Sequence, residues 1–211
     1  MRWRPAVIVL AAGAGSRFRA PGHKLSQRLG TSSVLGTTLR AALASHLPVV
    51  VVTTDAVADT ARQYVASRDV VVLPAAGTPG EPQLGMGYSI AVGVAARPDA
   101  GSWLVLPGDM PMIKPSTLLA VAAALEHHPV AYAQHRGRRG HPVAFGAELF
   151  TELATLVGDE GARRLVARYP AFGVEVDDPG VLLDVDTESD LEMVRLRHDG
   201  EAAIPATRSA A

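Results

Sequence analysis

At 211 residues the chain fits one domain, and 48% apolar against 19% charged residues is enough to bury a substantial core. A formal net charge of −1 gives no broad attraction to nucleic acid or to a membrane, so neither is expected as a partner. The absence of cysteine excludes disulfides, zinc–thiolate sites, iron–sulfur clusters and cysteine nucleophiles.

Arg2 and Arg4 ahead of the apolar run Pro5–Leu10 superficially resemble a short signal peptide. The run is short for a signal and leads into a glycine-rich loop, so a buried first strand is the better reading. A cytoplasmic location follows from it. No apolar stretch approaches the roughly 20 residues that cross a bilayer.

Strands are expected at Ala6–Leu10, Val49–Thr53, Val70–Leu73, Trp103–Leu106 and Val130–Ala133, all short, apolar and rich in β-branched residues. Helical patterns fall between them, near Gly36–His46, Ala56–Ser67, Met86–Ala96 and Pro115–His127. This alternation predicts a three-layer α/β/α fold around a mostly parallel twisted sheet with right-handed crossovers. Four strands are continuous apolar runs, as suits a sheet covered on both faces.

Beyond Ala133 the pattern loosens. Gln134–Gly140 is polar and basic, and Pro142–Phe145 is expected as a short strand. Helices near Ala147–Leu156 and Ala162–Arg168 follow, then short strands at Gly173–Val176 and Val181–Asp184, and a helix from Glu188 to Arg197. Residues 1–197 thus form one domain with no internal repeat or linker, and residues 198–211 are expected as a disordered tail.

In such a sheet ligands bind beyond the carboxyl ends of the strands, which singles out the loop Leu10-Ala-Ala-Gly-Ala-Gly-Ser-Arg17. Gly13 and Gly15 allow a tight turn and a close approach to phosphate, and their N–H groups can form an anion-binding concavity. Arg17 offers a bidentate grip and Lys24 a movable point charge. A dinucleotide fingerprint is excluded, because Phe18 stands at the third glycine position and no carboxylate follows about 20 residues on. A Walker loop is also excluded, since Gly22-His-Lys24-Leu lacks the required pattern. A glycine-rich turn with two solvated cations remains the alternative.

A second feature strengthens the phosphate reading. Leu104-Val-Leu-Pro-Gly-Asp-Met-Pro111 is an apolar strand whose closing turn carries Asp109, on the same sheet edge as the first loop. A carboxylate facing a triphosphate calls for a divalent cation between them, so Asp109 is a candidate Mg²⁺ ligand. The alternative is a turn-stabilising aspartate. Asp184 or Asp186 is a candidate second ligand, with an N-cap for the helix at Glu188 as the alternative for Asp186.

These motifs resemble the nucleotidyltransferases that attach a nucleotide to the molybdenum cofactor. The resemblance rests on Leu10-Ala-Ala-Gly13 with Arg17, then Lys24, then Gly108-Asp-Met-Pro111. It extends to Gly85-Met-Gly-Tyr-Ser-Ile90, Arg139-Gly-His-Pro-Val-Ala-Phe145, Gly158-Asp-Glu-Gly-Ala-Arg163 and Asp184-Val-Asp-Thr-Glu-Ser-Asp-Leu191, in the family's order. The Ala-Ala-Gly opening is similar to the CTP-using cytidylyltransferase branch, so Ala12 favours cytosine over guanine. The stretch Ala20-Pro-Gly-His-Lys24-Leu-Ser-Gln-Arg28 departs from the family, which places proline directly before the lysine; His23 and Arg28 are unusual there.

The resemblance implies a Rossmann-like nucleotidyltransferase fold, Mg²⁺ as cofactor, CTP as the favoured triphosphate and a phosphorylated pterin as acceptor. It also implies a molybdoenzyme or its maturation factor as partner. Arg17, Lys24 and Asp109 would carry catalysis. The nucleotide would lie against Leu10, Ala11, Ala12, Gly13, Ala14, Gly15, Ser16, Arg17, Lys24, Gly85, Ser89, Pro107, Gly108 and Asp109. Met110, Arg139, Gly140, His141 and Pro142 would line the acceptor side, beside Arg136 and Arg138, although a basic loop of this kind is also read as a solvated surface. Rival readings are a same-fold transferase using GTP or another phosphorylated acceptor, an oxidoreductase on this scaffold, and a non-catalytic partner of a molybdoenzyme.

Overall fold

The computed structural model describes residues 4–74, 85–159 and 161–203. Glu160 of the Gly158–Arg163 segment and residues 204–211 of the expected tail lie outside them.

The chain begins with β1 (Pro5–Ala11), passes a small ribbon of β2 (Arg28–Leu29) and β3 (Ser32–Ser33), and enters α1 (Val34–Ala44). Then come β4 (Val49–Thr54), α2 (Asp55–Arg62), β5 (Val70–Leu73), α3 (Met86–Ala95), β6 (Ser102–Pro107) and α4 (Pro115–Ala124). The second half holds β7 (Val130–His135), β8 (Arg138–Gly146), α5 (Phe150–Ala154), α6 (Arg163–Arg168), β9 (Ala171–Glu175) and α7 (Glu188–Ala203). One seven-stranded sheet runs β5-β4-β1-β6-β8-β7-β9. Its first four strands are mutually parallel, β8 is antiparallel to both β6 and β7, and β9 pairs parallel with β7. The mostly parallel α/β sheet is the expected class.

The uninterrupted apolar strands follow from burial on both faces. Side chains alternate across a strand, so Val7, Val9, Val51, Leu104 and Leu106 pack with Leu35, Leu39, Leu118 and Leu191 on one side. Ile8, Val50, Val52, Trp103 and Val105 pack with Ile90, Val94, Leu149 and Leu153 on the other. In α3, Gly93 has no room for a side chain: a Cβ there would strike Ile8 and stand 3.0 Å from Val52 Cγ2. That close contact seats α3 on β1 and β4 and brings its amino end to the rim of the sheet. Ser33 caps α1, accepting from the Gly36 N–H at 3.0 Å.

The first half matches expectation within a few residues, except that α2 stops at Arg62 and α4 at Ala124, which removes His127 and His128 from a helix end. His128 instead stacks on Phe172 at 4.2 Å. The second half needs larger corrections. The basic stretch Gln134–Gly140 is a hairpin rather than a break: Arg136 and Gly137, with φ of 51° and 72°, form a turn that matches strand twist. β8 therefore extends over nine residues. Val181–Asp184 is not a strand. Asp178 accepts from the Gly180 N–H at 2.9 Å and, with Pro179, winds Pro179–Leu182 into a 3-10 turn. Helix α7 runs to Ala203 rather than Arg197, into residues expected to belong to the tail. Among the described residues no helix is long and apolar enough to cross a membrane.

Candidate active site

β1 and β6 are neighbours in register, with Leu10 opposite Pro107, so their carboxyl ends open onto one cleft of 860 Å³. One wall is the loop after β1. Gly15 takes φ +63°, and the aliphatic stem of Lys24 runs 3.4 Å from where its Cβ would stand. A side chain there would strain the backbone and displace the lysine. The loop closes through the Phe18 N–H to the Gly15 carbonyl at 2.9 Å, and Phe18 itself is a core residue. Among the described residues the N–H groups of Gly13 to Arg17 have no main-chain acceptor. They form the type of concavity that binds anions.

Asp109 follows β6. The Gly108 N–H donates to the Leu10 carbonyl at 2.8 Å, and the buried Thr38 hydroxyl donates to the Gly108 carbonyl at 3.0 Å, locking the turn to β1 and α1. Gly108 is a correction to the expected cleft wall: it sits behind the wall, its missing Cβ 3.0 Å from the Leu10 carbonyl.

The floor is an ion cluster. Lys24 Nζ donates to Asp109 Oδ2 at 2.6 Å and to Asp186 Oδ1 at 2.8 Å, while Arg17 pairs with Asp186 Oδ2 at 2.6 Å. Burial alone would lower the Lys24 ammonium, but the Asp109 carboxylate, with hydrogen bonds to Asp109 and Asp186, holds its pKa above the usual value. Asp186 is likewise opposed by burial, yet its bonds to Lys24 keep it below the carboxylate range. Asp184 shifts upward, through burial first, then its hydrogen bond with Asp186 and the charges of Asp186 and Asp109. Asp109 Oδ1 is buried and has no hydrogen-bond partner. An orphaned carboxylate oxygen is a ligand type that a hard divalent cation takes up, although no set of three ligating side chains is preassembled among the described residues.

Asp186 reaches this cluster because the Val185 N–H bonds the Asp109 carbonyl at 2.9 Å. It is not the cap of α7. Thr187 is, exchanging bonds with Asp190, whose Oδ2 accepts from the Thr187 N–H at 2.7 Å and the Asp186 N–H at 3.2 Å.

The opposite wall is carried by β8. Arg138, Arg139, Gly140 and His141 line it, with the Arg139 guanidinium 4.5 Å above the Tyr132 ring. Burial pushes His141 below its usual pKa, and Arg139 adds to this against the pull of Asp109, so the ring is neutral near pH 7. Gly140 abuts the Val181 carbonyl, which leaves no space for a side chain. Met110 lines the cleft, whereas Pro142 does not.

At the third side, Gly85, Met86 and Ser89 meet the 157–159 segment, the Gly87 N–H donating to the Gly158 carbonyl at 2.8 Å. The Ser89 hydroxyl is 3.4 Å from the Gly85 carbonyl. A Cβ on Gly85 would collide with Gly158, so glycine is needed for this contact. Leu25, Met86, Asp159, Val181 and Leu182 also line the cleft without having been expected by number. Met86 and Asp159 lie inside segments that sequence already singled out. Val181 and Leu182 come into reach only through the 3-10 turn.

A parallel α/β sheet with a glycine loop, a paired lysine and a carboxylate turn on one edge is the arrangement of nucleotide-handling transferases. Residues 7–172 match the MobA-like NTP transferase domain, and the chain belongs to that family. It is 29% identical to the purine catabolism protein PucB of Bacillus subtilis over 206 residues, covering 90% of this chain and 97% of that protein. The structure of an Rv0371c homologue from Mycobacterium sp. strain JC1 superposes with a TM-score of 0.80 at 28% identity, covering 95% of this chain and all of that one. Rv0371c of Mycobacterium tuberculosis in complex with manganese gives 0.73 at 27% identity, covering 93% and 100%. The bifunctional protein GlmU of Zymomonas mobilis is 31% identical over 121 residues, but this chain spans 26% of its length.

Proposed function

We propose that the protein transfers a nucleoside monophosphate from a nucleoside triphosphate, CTP by preference, to a phosphorylated acceptor, molybdopterin or the molybdenum cofactor, with release of pyrophosphate. The observation that carries this reading is the convergence in one cleft of free loop N–H groups, Lys24 with Arg17, and Asp109 with its orphaned oxygen.

A terminal phosphate oxygen of the acceptor attacks the α-phosphorus, the bond to the β-phosphate oxygen breaks, and pyrophosphate departs. Positioning and charge neutralisation supply most of the rate. The N–H groups of Ala12 to Ser16 hold the β- and γ-phosphates. Leu10, Ala11, Pro107, Gly85 and Ser89 frame the nucleoside, and Gly108 supports this frame from behind. Arg17 and Lys24 meet the charge that builds on the α-phosphate and the leaving group. Lys24 is pre-aligned there by its two carboxylates and exchanges them for phosphate oxygens. Arg139, Gly140 and His141, next to Met110 and Pro142, receive the anionic acceptor. Asp109 and Asp186, with Asp184 beside them, would hold Mg²⁺, which when bound would neutralise phosphate charge. The complex of Rv0371c with manganese supports a divalent ion as the cofactor. Ala12, on the cleft wall, supports CTP through the resemblance of the Ala-Ala-Gly opening. Soluble phosphorylated substrates suit a cytoplasmic enzyme, organised as one domain over residues 1–197 and delivering its product to a molybdoenzyme or its maturation factor.

The test is pyrophosphate release with Mg²⁺ across CTP, GTP, ATP and UTP, each with and without molybdopterin. Release with CTP that requires molybdopterin is expected. Release from another triphosphate, or with a sugar phosphate alone, would replace the substrate reading.

A further inference from the structure

His23 stands where the family resemblance places proline, and neither the cleft wall nor the ion cluster includes it. Both of its ring nitrogens are nevertheless engaged. Nδ1 accepts from the Leu25 N–H at 3.2 Å, capping the 3-10 turn that begins with Lys24. Because Nδ1 is an acceptor, the ring proton resides on Nε2, which stands 3.0 Å from the Gly13 carbonyl oxygen and donates to it. One half-buried imidazole thus ties the first residue before the lysine to a glycine ten positions earlier in the phosphate loop.

This tether has a directional consequence. The Gly13–Ala14 peptide is trans, so its C=O and N–H point to opposite sides. Gly13 and Ala14 line the cleft, and His23 is not among its lining residues. Anchoring the carbonyl on His23 therefore points the Ala14 N–H away from His23, and that N–H has no main-chain acceptor among the described residues. Glycine at 13 makes this orientation a matter of choice for the backbone: its Cβ position is open, and the residue could rotate freely without the tether.

We infer that His23 is a positioning residue for triphosphate binding, holding the Gly13–Ala14 peptide so that the Ala14 N–H faces a phosphate oxygen, and seating Lys24 beside it through the cap. The inference rests on the proposed function, in which this loop binds the triphosphate.

Two variants separate the roles. His23→Asn keeps an N-cap acceptor for the Leu25 N–H but cannot span to the Gly13 carbonyl, and His23→Ala loses both. For His23→Asn, thermal stability and kcat stay near wild type while Kd and KM for CTP with Mg²⁺ rise about tenfold or more, the scale of one hydrogen bond to a charged group. For His23→Ala, melting temperature also falls. The backbone ¹⁵N–¹H signal of Ala14 in the wild type shifts on adding inorganic pyrophosphate, and that shift shrinks in His23→Asn. Unchanged CTP affinity in both variants, or full recovery of affinity with stability in His23→Asn, would overturn the positioning role and leave a structural cap. Failure of the wild type itself to bind any of the four triphosphates would overturn the functional reading, and the inference with it.

Discussion

The two walls of the cleft are built by different means. The wall proposed for the nucleotide stands on adjacent parallel strands, β1 and β6, and each of its loops departs from a strand end whose place is set by a continuous hydrogen-bonded register. Its decisive contacts, Gly108 to Leu10 and the Lys24 stem along Gly15, fall within two short loops. The wall proposed for the acceptor stands on the antiparallel strand β8 and depends on segments far apart in the chain. Gly140 rests on Val181, the 136–137 turn rests on Glu175, and Asp178 clasps the Lys114 N–H and the Thr117 hydroxyl across the molecule at 2.9 and 2.6 Å. The contrast teaches that one wall is nearly a property of the sheet, while the other can be altered without disturbing the first.

The largest expected effect strikes the first wall. Lys24→Ala leaves Asp109 without its cation and Asp186 with Arg17 alone, and should lower kcat about 100- to 1000-fold for every triphosphate, the scale of losing one preorganised charge partner. Steady-state pyrophosphate release measures it, and a loss confined to one acceptor would place the lysine on the wrong wall. Next, Asp178→Ala strands three donors, two of them buried, and should cost about 2–3 kcal/mol in urea unfolding. Acceptor KM should rise while triphosphate Kd holds; equal damage to both would erase the distinction between the walls. Thr187→Ala removes the cap of α7 and should cost about 1 kcal/mol, with a smaller change in kcat through Asp186.

The smallest effect is a pH dependence. Glu175 is held below the usual carboxylate range by the hydrogen bond from the Gly137 N–H, against slight burial, and by that from Arg136. A depressed folded pKa gives stability that is present above the ordinary carboxylate pKa and is lost as pH falls through the folded value. The Arg136 and Gly137 amide signals should therefore stay fixed through mild acid and shift only below the normal carboxylate range. In Glu175→Gln that transition should vanish; its persistence would assign the turn to another group.

Much of the parallel half was legible in the sequence. Continuous apolar runs such as Val49–Thr54 are dictated by burial on two faces, and the glycine loop and the Asp109 turn mark strand ends whatever lies around them. Less was legible after Ala133. The run from Gln134 to Gly140 is polar enough for a loop, and only the pairing of β7 with β8 and β9 makes it strand. Val181–Leu183 is apolar enough for a strand, and only the Asp178 cap and Pro179 make it a 3-10 turn.

By itself the sequence determined the layered α/β class, the phosphate-type loop, and the pairing of that loop with a carboxylate on the same edge. These follow from local chemistry: two-sided burial, glycine conformations, and charge beyond strand ends. The tertiary structure alone decided which groups meet. Lys24 bonds carboxylates 85 and 162 positions away, Asp186 faces the cleft because Thr187 takes the cap, and Gly108 serves from behind the wall. His23 likewise becomes a tether only because the loop folds back over ten residues. Contacts of that kind are set by packing across the sheet edge, which no periodicity along the chain encodes.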